Sequence, residues 1–198
     1  MVQPVMQLQK RTMALAGLVL TAYLILHMLT NLSFFTESMF SRFYDGYNLW
    51  FIRWPLLLVI SATILIHIKT AIRIRKVNTK ARIVDYKKHD KFKIPAPLVT
   101  VSIAFLLGFI VVHVIQTLLF DVSNLYNELV SLFQSQWMVL FYLGGLLVLT
   151  LHLQHSLANV LQTLGKTSAR YSMLVWISTV LLTAGFAVIP VYIYFVMS

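Results

Sequence analysis

Five histidines, His27, His67, His113, His152 and His155, stand inside apolar runs, and a sixth, His89, stands in a strongly basic stretch. An imidazole surrounded by hydrocarbon needs a partner, because the medium offers none. A single such ring can be satisfied by a helix–helix hydrogen bond. Five together point instead to ligation of a metal or a metal-bearing cofactor. The chain has no cysteine, which removes disulfides, iron–sulfur ligation and zinc thiolate sites. His152 and His155, in LHLQHSLANVLQTLG, have a spacing used by zinc sites, but no carboxylate lies near to complete a tetrahedron.

The elements that must carry these rings are membrane-spanning helices. Of 198 residues, 59% are hydrophobic and 11% charged, whereas a soluble domain is about 25% charged. A helix needs roughly 20 apolar residues to cross the hydrocarbon core. Segments at about 12–35, 54–76, 97–119, 137–161 and 172–196 qualify, and no linker is long enough to divide 1–198 into separate domains. The sequence therefore predicts an all-α membrane protein of five transmembrane helices. The first run, in KRTMALAGLVLTAYLILHML, is too long for a signal peptide and lacks a small-residue cleavage site, so it is read as a retained span. Pro55, and Pro95 with Pro97, mark helix starts, and Pro190 predicts a kink late in the fifth span.

Of the 16 lysines and arginines, only Arg42 and Arg53 fall on one side of this arrangement. The remaining 14 precede the first span (Lys10, Arg11), fill the stretch 69–93, or separate the last two spans (Lys166, Arg170). The positive-inside rule then puts the N-terminus and the basic loop in the cytoplasm. Such a loop meets anionic headgroups and can also dock a soluble partner; charge held against a membrane argues against nucleic acid.

Depth sorts the histidines into pairs. At about 1.5 Å per residue, His27 and His113 lie roughly 24 Å from the cytoplasmic edge of a core about 30 Å thick. His67 and His152, on the spans running the other way, lie roughly 10 Å from that edge. Each level pair comes from two antiparallel helices, which is how a four-helix bundle holds a haem between facing imidazoles. His27 with His113 would hold an outer haem b and His67 with His152 an inner one. Gly145, seven residues from His152 and nearer the outer level, would let a macrocycle approach, with ordinary close packing as the alternative. Gly17 lies near the inner level. His155, one turn from His152, cannot bind the same iron from the same side and is read as contacting a propionate, a quinone head group or a partner subunit.

These residues resemble a family. A histidine late in the first span (AGLVLTAYLILHMLTNLSFF), one each in the next two, and the stretch LHLQHSLANVLQTLG are similar to the dihaem cytochrome b anchor of succinate:quinone oxidoreductases. The last stretch matches a family pattern of roughly H-L-x-H-G-x-x-S-x-x-Q-T-L-G, with Ser156 in place of the glycine and Asn159 in place of the serine. The resemblance implies that His27, His67, His113 and His152 are the axial ligands of two haems b, in a bacterial cytoplasmic membrane. It implies cytoplasmic partners, a flavoprotein that interconverts succinate and fumarate and an iron–sulfur subunit, with electrons passing to or from menaquinone or ubiquinone. No catalytic acid, nucleophile or nucleotide motif for dicarboxylate chemistry is present, so the chain would be a non-catalytic electron-transfer subunit.

A quinone needs a polar pocket near a haem edge. Glu37, Tyr44, Asp45, Tyr47 and Asn48 are available above the outer pair, with Asp45 the candidate for handling protons; His155 and Gln162 are available on the inner side. None of the five spans contains Asp or Glu, so a carboxylate relay through the membrane has no component. Two other readings stand beside this one: a cytochrome b of a formate dehydrogenase or hydrogenase, and a non-haem transporter that uses histidines for protons or metals. The span-four pattern speaks against the first, and the lack of acidic residues in the spans against the second.

Overall fold

The computed structural model describes residues 2–80, 96–163, 165 and 168–197. Among them there is no strand, and the helices are α1 (Val2–Asn31), α2 (Glu37–Tyr47), α3 (Trp50–Lys80), α4 (Ala96–Leu119), α5 (Leu125–Gln134), α6 (Gln136–Thr163) and α7 (Ala169–Val196). Five of these are long and apolar enough to cross a membrane, over Met6–Phe35, Trp50–Val77, Val101–Leu119, Gln136–Gln162 and Ala169–Val196. The five predicted spans are therefore present. In hydrocarbon every backbone N–H and C=O must be satisfied within the segment, which leaves helix as the form for such runs. Polar side chains obey the same demand. The hydroxyls of Thr21, Thr150, Thr179 and Thr183 donate to carbonyls one turn back in their own helices, at 2.8–2.9 Å.

Pro55 lies farther inside its helix than the sequence predicts. Helix α3 begins at Trp50 instead of Pro55, so the proline sits inside the second turn. Its missing N–H removes one hydrogen bond, to the Phe51 carbonyl, close to the helix start. The added turn carries Trp50 and Trp54, 74% and 55% exposed, amphipathic rings of the kind that settle at the headgroup boundary. Helix α7 includes Pro190 and extends six residues beyond it, to Val196.

The chain forms two compact units, one from Met1–Leu24 and Trp50–Ile94, the other from Ile25–Leu49 and Pro95–Ser198. In the second unit α6 packs against both α4 and α7. Its buried stripe, Val139, Tyr142, Leu146, Leu149 and Leu153, recurs every three or four residues, as a helix facing a core requires. Helix α7 answers with Val175, Thr179, Leu182, Ile189 and Ile193. At one end, two short helices, α2 and α5, lie between the spans. They contact one another and carry buried Phe40 and Phe133. Phe34, only 1% exposed, stacks on Tyr126 with ring centroids 4.8 Å apart and meets Phe40 edge-on at 5.9 Å.

Phe34 is thus the centre of the aromatic cap. Replacing Phe34 with Ala is expected to cost about 3–5 kcal/mol of stability while leaving the helical content of the spans unchanged. Thermal unfolding in detergent followed by circular dichroism measures both.

Candidate functional site

His27, in the last turns of α1, and His113, on α4, belong to the same unit and face each other. Their ring centroids are 5.9 Å apart and their planes are inclined at 61°. An imidazole nitrogen lies about 2.0–2.1 Å from a first-row metal such as zinc, so two imidazoles sharing one metal in line have centroids roughly 6–6.5 Å apart. The observed spacing is close to that value. Among the described residues no three His, Asp or Glu side chains gather around one point to hold a metal ion by themselves. Two facing imidazoles suit a metal whose remaining positions are filled by its own macrocycle. The residues present therefore fit a haem.

Aromatic side chains frame the pair. Phe109, one turn before His113 on α4, lies nearly parallel to its ring at 6.1 Å, and Phe186 of α7 lies 5.6 Å from the ring of His27. Two glycines make room for this packing. A Cβ on Gly145 would fall 2.5 Å from the Phe109 ring, and one on Gly185 would fall 2.6 Å from the Met28 sulfur. Gly145 therefore admits Phe109 against α6, the close packing that the sequence leaves open beside a haem contact. The sequence does not single out Gly185, since one small residue in a membrane helix has no distinguishing neighbour pattern. A further polar chain leaves His113: its Nδ1 is 3.3 Å from the Tyr142 hydroxyl, which lies 2.8 Å from Gln116 Oε1.

The inner pair falls in different units, His67 in the first and His152 in the second. Within the first unit the half-buried His67 ring lies over Gly17, where a Cβ would stand 3.5 Å from Cε1, an ordinary contact. Within the second, His152 is half-buried on α6. His155 is exposed, and its Nε2 lies 3.1 Å from the Asn159 amide nitrogen one turn on. The basic stretch from Arg82 to Lys93, with His89, and Lys166 lie outside the described residues. Lys69, Arg73, Arg75 and Lys76 are exposed on the last turns of α3.

A small polar cleft of about 110 Å³ opens beside the aromatic cap, lined by Glu37, Tyr44, Asp45, Asn124 and Tyr126 among others. Asp45 and Glu37 are exposed at its edge, while Tyr44 is half-buried and its hydroxyl donates to Asn31 Oδ1. Burial pushes the Tyr44 phenol up to about 12. Burial, with Glu37 and Tyr192 adding to it, also raises Tyr126. Nearby Asp121 is held below the usual carboxylate range by the Ser123 hydroxyl and then its backbone N–H, at 2.7 and 2.9 Å.

No protein-family model, curated protein or solved structure matches the chain. The cleft itself makes a pH prediction. A phenol raised from 10.0 to about 12 in the folded state favours folding fully below pH 10 and loses that contribution as pH rises toward 12. The melting temperature of the protein in detergent should therefore fall over this window relative to that of Tyr44→Phe, which has no phenol to ionise.

Proposed function

We propose that the chain is the haem-bearing cytochrome b anchor of a succinate:quinone oxidoreductase, a multi-pass membrane subunit that passes electrons between an iron–sulfur partner and a membrane quinone. The observation that carries this reading is the facing pair His27 and His113 at 5.9 Å, together with the stretch LHLQHSLANVLQTLG. When bound, haem supplies a one-electron carrier, and ligation on both faces suits transfer over oxygen chemistry.

The chain's own residues have separable tasks. His27 and His113 would hold the outer haem. Phe109 and Phe186 surround these rings with apolar surface and keep water from them. On sequence depth alone, His67 and His152 are the proposed ligands of a second, inner haem. At the cleft, Asp45 can exchange a proton with water, as quinone reduction requires, and Tyr44 and Tyr126 offer hydroxyl groups to a head-group ring. The cleft is small beside the roughly 300–1,000 Å³ of sites that enclose a whole ligand. That suits a ring whose isoprenoid tail remains in lipid. The basic end of α3 is the proposed cytoplasmic docking face for the flavoprotein and iron–sulfur subunits, and His155, exposed one turn beyond His152 on α6, is a separate candidate for contact with a propionate, a quinone head group or a partner subunit.

A dithionite-reduced minus oxidised spectrum with haem quantified per chain tests the reading. Two b-type haems, low-spin in both redox states, are expected, with one remaining after His67→Ala or His152→Ala. A well-folded, colourless protein overturns the proposal.

A further inference from the structure

The polar chain behind His113 sets which ring nitrogen carries the proton. Gln116 and Met138 decide the direction of every hydrogen bond in it. The Gln116 amide nitrogen, a donor only, is 3.4 Å from the Met138 sulfur, a weak acceptor, which turns Oε1 toward Tyr142. The Tyr142 hydroxyl has one proton and donates it to that oxygen at 2.8 Å. Its remaining role toward His113 is that of acceptor, so the atom 3.3 Å away, Nδ1, must carry the hydrogen. A neutral imidazole protonated at Nδ1 has its lone pair on Nε2.

Tyr142 is well placed to enforce this. It is 8% exposed, and Phe109 and Phe133 meet its ring edge-on at 5.3 and 4.8 Å, so the phenol cannot swing away. Ligating histidines commonly donate their second nitrogen to an oriented acceptor, which fixes the tautomer and raises the basicity of the coordinating nitrogen.

We infer that Tyr142 and Gln116 are positioning residues that hold His113 as the Nδ1–H tautomer and leave Nε2 as its coordinating atom. The inference rests on the haem-binding reading for its purpose, but the tautomer itself belongs to the chain alone. Tyr142→Phe removes the acceptor while keeping the packed ring. Gln116→Leu removes the oxygen that takes the tyrosine proton, so the hydroxyl turns to donate to the ring and drives His113 to the Nε2–H form.

The test has two arms on the full chain in detergent. The first is nitrogen NMR of histidine-labelled protein produced without haem. His113 should show a protonated Nδ1 and a bare Nε2 in the wild type, and the opposite in Gln116→Leu. A wild-type ring protonated at Nε2, or identical spectra in the wild type and Gln116→Leu, overturns the inference. The second arm uses haem-loaded protein. Gln116→Leu should lose the outer haem to a scavenger about 10–100-fold faster. Tyr142→Phe should retain the haem but shift its reduction potential upward and alter its low-spin ferric resonance. Unchanged retention, potential and resonance in both variants also overturn the inference. Failure of the wild type to take up haem sinks the cytochrome reading instead, and the first arm then still decides the tautomer.

Discussion

Hydrocarbon forbids an unsatisfied polar group, and the second unit is organised around that prohibition. A backbone polar group without a partner costs several kcal/mol there, so the spans are unbroken helices, prolines included. The same rule reaches the side chains. Threonine hydroxyls turn back on their own helices, whereas the ring of His113 meets a side chain of another helix. His113 reaches across to Tyr142 on α6 and faces His27 on α1. Interhelical polar contacts of this kind select one rotation of each helix among many of similar apolar packing.

Packing then supplies the precision. Gly145 lets the Phe109 ring lie flat against α6 where any Cβ would collide with it, and Phe109 in turn lies nearly parallel to His113. Gly185 performs a similar service for Met28, the neighbour of His27 on α1. His27 and His113 thus each have, adjacent or one turn away on the same helix, a side chain seated over a glycine of another helix. At the end of the unit the cap of Phe34, Phe40 and Tyr126 joins α2 to α5 and forms one wall of the cleft that holds Asp45.

How much of this the sequence shows depends on the length of the signal each feature leaves. The five spans are legible because each is a long apolar run. His27 and His113 are legible because an ionisable ring in such a run is costly without a partner. Helices α2 and α5 escape a search for spanning length, at 11 and 10 residues. Their trace is local: Phe40, Tyr44 and Tyr47 are four and three apart, one face of a helix. Tyr142 and Gln116 leave no trace at all. They are separated by 26 residues, and a lone tyrosine or glutamine in a span looks like any other until α4 and α6 are brought together. Gly145 shows the opposite limit: its closeness to a bulky ring is readable, but the ring seated there is Phe109.

The central claim is that His27 and His113 are two halves of one axial pair. Chemical rescue tests it most directly. In a His113→Gly variant the low-spin spectrum of one haem should be lost and should return on addition of imidazole, which fills the space left by the ring and replaces the ligand. A His113→Gly protein whose haem content and low-spin spectrum equal those of the wild type, with no response to imidazole, would contradict the account.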